Sequence, residues 1–338
     1  MLPSAQPDPS TPVAAKTQPR GVSILIAAHN RCELLARTLE SLAAIDRPRD
    51  AASGTQLPIE CIVIANACTD DTEGVVSRAA ASGTFPFALR VINEPRRGVS
   101  HARNRAVEES RHDLCIFIDS DCLADAGWLV EHVRAYREHN ADLVTGRIEL
   151  WWEEVAEVEG LSYSMREALG EHRHSDEPQR LAEPRAYAAN LSFRREVFHE
   201  AGPFRTDIGR AGTGRLAHEE MVFARRAMQH GRAFWWTPHA MVRHWVPVSS
   251  ITDDFFTRSA YWGSVSFMLT TEPMTASIAA STLLKSPLRL LTSLSTLVFA
   301  RLRADPSLAS VARMDLHGAL GRLRGLWTRL TGLHVPKP

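Results

Sequence analysis

The sequence predicts an α/β domain built on a mostly parallel sheet with helices on both faces, and three observations predict it. From residue 22 onward, short apolar runs alternate with helix-period segments, the rhythm of βαβ units. The runs are apolar at nearly every position, as strands covered on both faces require. With 44% hydrophobic and 23% charged residues among 338, the chain has material for a full core, which excludes collagen-like, mainly disordered and small disulfide-stapled classes.

Taken in order, strands are expected at 22–28 (VSILIAA), 59–65 (IECIVIA), 87–92 (FALRVI) and 114–119 (LCIFID). A helix follows each: 32–44, where Leu35, Leu39 and Leu42 share one stripe, then segments near 70–82, 100–110 and 127–139. After residue 141 the rhythm changes. DLVTGRIELWW reads as a hairpin or extended segment, the stretch around 153–171 as acidic and helical, and EHRHSDEPQRLAEP (171–184) as a polar loop. YAANLSF (187–193) reads as a strand and REVFHEAG as a short helix. A Gly-rich run then leads to a helix at 218–230, and AFWWTPHAMVRHW reads as a strand and turn. No internal repeat is present, which excludes solenoids.

Ligands of open parallel sheets bind outside the carboxyl ends of the strands, so the residues there carry the functional reading. Strand one ends in His29, Asn30 and Arg31, with neither the GxGxxG of a dinucleotide site nor the GK[ST] of a P-loop. Strand two ends in Asn66, whose amide can read a base edge, while Thr69 and Asp70 suit capping of the next helix. Strand four ends in Asp119 and Asp121. Two carboxylates there repel and desolvate each other unless a cation or donors neutralise them, and Asp125 is the better helix cap, so a divalent-metal role is expected for the pair.

Five segments, VSILIAAHNRCELLARTLESL, IVIANACTDDT, EPRRGVSHARNRAVEESRHDLCIFIDSDC, YAANLSFRREVFHEAGPF and HEEMVFARR, together resemble a family 2 glycosyltransferase of GT-A fold, over about residues 22–245. The resemblance implies that a nucleotide-diphospho-sugar binds at the sheet and that Asp119 and Asp121 hold Mg2+ or Mn2+ on its diphosphate. Hard oxygen ligands suit those ions, which neutralise charge growing on the leaving nucleoside diphosphate. It further implies Ala27, His29 and Asn66 at the nucleobase, Arg97 and Arg103 along the nucleotide, and Asn190 at the donor sugar. His244 would complete the metal site. Glu220 would be the general base, with Glu219 as its alternate. The run Gly209, Gly212 and Gly214 resembles a loop that closes over donor, excluding water from an activated sugar. Trp235, Trp236 and Trp245 are candidates for stacking on sugar or for core packing. Ala27, His29 and Asn66 depart from the family's usual Pro, aromatic and acidic residues, which leaves the base open.

The resulting expectation is an inverting transferase that moves one sugar to a glycan or lipid-linked acceptor, in polysaccharide or cell-envelope synthesis. A nucleotidyltransferase and a degenerate scaffold are the alternatives. The domain plan is a disordered lead at 1–20, a GT-A domain at 21–247 divided near 140 into nucleotide and acceptor halves, and a helical region at 248–338. Thirty-nine basic and thirty-nine acidic residues balance, which argues against a nucleic-acid partner. Residues 281–338 nevertheless carry net +7. There LHGALGRLRGLWTRLTGL and SPLRLLTSLSTLVFARLR form basic amphipathic helices, suited to an anionic membrane surface or to packing on the core. Gly318, Gly321 and Gly325 lower helix propensity in the former. Five cysteines without CxxC suit a reduced compartment. With no signal peptide and no membrane span expected, the location is cytoplasmic, peripheral on the plasma membrane.

Overall fold

The computed structural model describes residues 16–153, 155, 158–209 and 216–332. Its first half is β1 (Val22–Ala28), α1 (Cys32–Ala43), β2 (Ile59–Asn66), α2 (Thr72–Ala81), β3 (Ala88–Glu94), α3 (Val99–Glu109) and β4 (Leu114–Ile118). β1 pairs in parallel with both β2 and β4, and β2 with β3, giving the order β3-β2-β1-β4. The predicted strands and helices are all present here. Alternation explains why their runs are apolar throughout. Val22, Ile24 and Ile26 pack on one face with Leu35, Leu39 and Leu42 of α1. Leu25, Ile62 and Ile64 pack on the other with Ala102 and Ala106 of α3. Each buried leucine or isoleucine contributes about 1.5–3 kcal/mol.

The second half supplies β5 (Cys122–Ala124), α4 (Trp128–Glu138), β6 (Leu143–Trp151), α5 (Tyr163–Ala168), β7 (Gln179–Arg180), β8 (Asn190–Arg194), α6 (Arg195–Ala201), α7 (Glu219–Gln229) and β9 (Phe234–Trp245). It extends the sheet as β4-β8-β6-β9-β5, with β7 on β9. β8 runs antiparallel to both β4 and β6, so the sheet is parallel only across β3-β2-β1-β4 and at β6–β9. The β6–β9 register shifts between Gly146 and Arg147. A Cβ on Gly146 would lie 2.2 Å from the Ala240 carbonyl, so only glycine admits this close approach.

Four expectations change. The acidic stretch 153–171 forms a helix only at α5, and residues 154, 156 and 157 lie outside the described residues. Asp125 does not cap α4 with its side chain; it pairs with Arg243 at 3.5 Å instead. In the predicted disordered lead, residues 1–15 lie outside the described residues, but Lys16 pairs with Asp142 at 2.5 Å and Arg194 donates to the Thr17 carbonyl. The fourth concerns the C-terminal helices.

These are α8 (Asp253–Thr270), α9 (Ala276–Leu302) and α10 (Pro306–Thr331). Thr252, Thr275 and Asp305 each accept a backbone N–H at the helix start. α10 packs tightly along α8 because Gly321 and Gly325 leave room: a Cβ on Gly321 would meet the Tyr261 carbonyl at 2.2 Å. The glycines that weaken helix propensity therefore serve as a contact seam. Trp152, Met165, Val246, Phe256 and Met314 join these helices to the sheet domain. α9 is long and apolar enough to cross a membrane by length and composition, contrary to the expectation of no such segment. Lys285 and Arg289 interrupt its uncharged run, which concealed it in the sequence.

Candidate active site

The site lies at the carboxyl ends of β1, β2, β3 and β4, where the backbone turns sharply. Asn30, Ala67 and His218 have φ of 50°, 49° and 79°, and Gly98 has 136°. Non-glycine residues in this region are strained, and such strain concentrates at functional sites. Asp70 ties the first two turns together. One of its oxygens accepts from Cys32 N at the start of α1, and the other accepts from Thr72 at the start of α2. Asp70 thus serves the start of α2 from one residue before its N-cap, Asp71, whereas Thr69 bonds to Asn30 instead of capping the helix.

Two carboxylate clusters flank the end of β4. In the outer one, the Asp121 carbonyl accepts from Trp245 N, and Cys122 pairs with His244 across β5 and β9. This pairing brings His244 Nε2 to 3.7 Å from Asp121 Oδ1, although 122 residues separate them in sequence. Arg31 binds the other Asp121 oxygen; Asp121 is buried and Arg31 is half exposed. His244 Nδ1 is buried without a partner. Carboxylates and an imidazole suit Mg2+ or Mn2+. Among the described residues, however, no three His, Cys, Asp or Glu side chains converge on one metal position. A cation here would need ligands beyond the protein's own.

In the inner cluster, Arg103 is 6% exposed. It binds Glu219 and lies 4.0 Å from Glu220 Oε2 and 3.7 Å from Asp119 Oδ1. One guanidinium thus joins the end of β4 to the first turn of α7. Arg103 is therefore a carboxylate bridge in this structure, rather than the open nucleotide contact that the resemblance implied. Glu219 accepts from Arg103 through Oε1, while its Oε2 and the Oε2 of Glu220 are buried with no hydrogen-bond partner among the described residues. Burial, and then the charge of Glu219, push the Glu220 carboxyl up to about 8. A carboxylate this basic is suited to take a proton.

At the ends of β1 and β2, His29 Nδ1 lies 2.7 Å from the Asn66 carbonyl and His29 Nε2 lies 3.5 Å from an Arg97 nitrogen. Ala27 sits half-buried opposite Ile64. Asn66 is put to another use. Its amide donates to the carbonyls of Glu94 and Arg96, and its oxygen accepts from Gly98 N. It holds the β3–α3 turn and has no donor left for a base.

Asn190 is likewise corrected. Fully buried, it accepts from Trp128 Nε1 and His132 Nε2 at 2.8 Å and donates to the carbonyls of Arg147 and Ala240. Its two donated bonds secure the β6–β9 bulge and its two accepted bonds tie α4 to β8, which uses its full bonding capacity. Trp236 is core, donating to the Ser175 carbonyl, and Trp235 stacks on His139 at 4.3 Å. Trp245, with Arg31, Arg37, Asp70 and Glu153, lines a cleft of about 360 Å³. Gly212 and Gly214 lie outside the described residues; Gly209 approaches Glu219 closely.

Sequence reasoning missed Arg31 as a partner of Asp121, and it missed Tyr187. Tyr187 stacks on His172 at 4.3 Å. Burial raises its phenol pKa, and the charges of Glu167 and Glu220 add to the effect. For Arg31 a signal existed: a cation placed directly after strand one. For Tyr187, 33 residues from Glu220 and on another element, none did.

With this geometry in view, the chain can be set beside known proteins. Residues 23–202 match the family described as Glycosyl transferase family 2. The chain belongs to that family and is a glycosyltransferase. The glucosyl-dolichyl phosphate glucuronosyltransferase of Haloferax volcanii is 27% identical over 238 residues, covering 66% of this chain and 68% of that protein. The uncharacterized glycosyltransferase YfnE of Bacillus subtilis is 30% identical over 133 residues, covering 39% of this chain and only 30% of that one. Among solved structures, the mannosyltransferase PcManGT of Pyrobaculum calidifontis, in complex with GDP-Man and Mn2+, aligns at a TM-score of 0.54 and 18% identity. That match covers 96% of this chain and 78% of that one, and the shared architecture is the GT-A fold. The nucleotidyltransferase alternative falls with the family assignment.

Proposed function

We propose that the protein transfers one sugar, with inversion, from a nucleotide-diphospho-sugar to a hydroxyl of a glycan or lipid-linked acceptor. The observation that carries this reading is the Arg103 bridge, which sets Glu220 of α7 beside Asp119, the residue after β4. A base and a cation-binding carboxylate flanking one point are what a single displacement needs. Glu220 takes the proton of the acceptor hydroxyl as that hydroxyl becomes acidic. Glu219 holds Arg103, which limits repulsion among the carboxylates. Asp121 and His244 would hold Mg2+ or Mn2+ with Asp119 nearby, and the donor's phosphates would supply the ligands the protein does not. When bound, the ion supplies charge neutralisation on the departing diphosphate. His29, Arg97 and the Ala27 backbone serve the base and ribose side. A lipid-linked acceptor is supported by the glucuronosyltransferase relative, whose name specifies a dolichyl phosphate, and use in cell-envelope or polysaccharide synthesis goes with it. Cytoplasmic work on a membrane face fits these substrates.

The test is release of nucleoside diphosphate from a panel of nucleotide-sugars with Mn2+. Metal-dependent release from one donor, accelerated by a lipid-phosphate or glycan acceptor, is the expected result. Silence across the panel would favour the scaffold alternative.

A further inference from the structure

α9 carries its largest apolar side chains outward. Leu284, Leu288, Leu291, Val298 and Leu302 are 50% or more exposed, reaching 81% at Leu302. Their spacings of four, three, seven and four put them on one stripe. The side turned to the protein is small: Ser286, Ser293 and Ala300 are the buried residues. Each outward leucine leaves in water apolar surface whose burial would be favourable. A row of this size marks an interaction surface.

Charge indicates what covers it. Lys285, Arg289 and Arg303 each follow a stripe residue by one position, so at roughly 100° per residue they line one flank. Arg289 also stands near Arg322 of α10; burial first, and then the Arg289 charge, lowers the Arg322 pKa. Among the described residues no ion pair joins Lys285, Arg289, Arg303 or Arg322 to a carboxylate. Guanidinium groups of Arg303, Arg322 and Arg324 lie over the rings of Phe299, Phe267 and Trp327, at 4.7, 5.9 and 4.9 Å. Cations lodged beside exposed apolar rings match the boundary between headgroups and acyl chains. A second copy is a poorer occupant, because an isologous contact would bring the same unpaired cations together. Crossing the bilayer is disfavoured as well, since Lys285 and Arg289 stand near the helix middle and one side packs on α10.

We propose that the outward face of α9, flanked by Arg289 and Arg322, seats the protein on an anionic phospholipid bilayer, with α9 lying in the plane of the interface. This goes beyond the transfer reading and does not rest on it.

The experiment is co-sedimentation of the full-length protein with vesicles of phosphatidylcholine alone, or of phosphatidylcholine with about one third phosphatidylglycerol. Strong binding to the mixed vesicles, lost at high salt, is expected. Leu288→Glu with Leu291→Glu should abolish it. Arg289→Glu with Arg322→Glu should weaken it on the order of thirtyfold on mixed vesicles only. The leucines are exposed, so the fold should tolerate their change; an unaltered circular-dichroism melt checks this. Equal binding to neutral vesicles overturns the proposal. So does retention through high salt and alkaline wash, which would mean a spanning helix. A concentration-dependent dimer without vesicle binding, removed by the leucine pair, would assign the face to a second copy. None of these outcomes alters nucleoside diphosphate release, so the two readings fail separately.

Discussion

The inner and outer carboxylate clusters use the same chemistry, guanidinium against carboxylate, to opposite ends. Arg103 is buried and faces three carboxylates from two elements. Arg31 is half exposed, sits on a loop and, among the described residues, forms an ion pair with Asp121 alone. Burial makes the first contact costly to break, since removing one partner strands uncompensated charge. Solvent makes the second inexpensive to exchange. The lesson is that one cluster fixes the frame of the cleft, and the other is free to change partners when a ligand arrives.

The largest effect should come from Glu220, the acid of the inner cluster that stands farthest from Arg103. Glu220→Gln removes the proposed base and should lower kcat by roughly 10²–10⁴-fold, with a smaller change in donor KM. In the parent enzyme, kcat/KM should rise about tenfold per pH unit toward pH about 8, because burial and then Glu219 raise the Glu220 pKa to about 8. The stability sign is opposite. A carboxyl whose folded pKa lies above its ordinary 4.5 favours the folded state when protonated, so stability is lost as pH rises from about 4.5 through about 8. Glu220→Gln should therefore melt higher than the parent at pH above 8 and close to it below pH 4. An acceptor that is already an anion would leave kcat unaffected by the substitution, and would reassign Glu220.

Next comes the bridge. Arg103→Met leaves Glu219, Glu220 and Asp119 facing one another in a largely dry setting. It should cost about 3–5 kcal/mol in denaturant unfolding. Arg103→Lys should recover only part of this, because an ammonium cannot span three carboxylates as a fork does. A loss below about 1 kcal/mol would place the cluster in the same exchangeable class as Arg31 and erase the contrast.

How much of this was legible in the sequence follows from what each residue bonds to. β1 to β4 were readable because strands buried on both faces leave continuous apolar runs. The DSD and HEE segments read as site candidates because closely spaced carboxylates repel unless something neutralises them, and the structure brings both to Arg103. Asn66 and Asn190 misled. An amide serving backbone carbonyls cannot be told from one serving a ligand without knowing which turns come near it. The glycines of α10 misled for a related reason: their weak helix propensity is local, while their use against α8 is tertiary. At 153–171, acidic residues with good helix propensity overstated a helix that only α5 realises.

The smallest expected effect is the sharpest probe of the outer cluster. Arg31 and a divalent cation would both satisfy the charge of Asp121, so each should weaken the other's hold. Arg31→Met should tighten Mn2+ binding to the donor-free protein by about threefold at low salt, read from the electron paramagnetic resonance signal of free Mn2+. The gain should shrink as salt screens the pair. Arg37→Met is the control: Arg37 lines the same cleft but pairs with Glu153 at 2.6 Å, and its loss should leave Mn2+ affinity unchanged. Equal affinity in Arg31→Met and the parent would mean that Arg31 does not compete for the cation. The outer guanidinium would then be as fixed as the inner one, and exposure would no longer account for the difference between them.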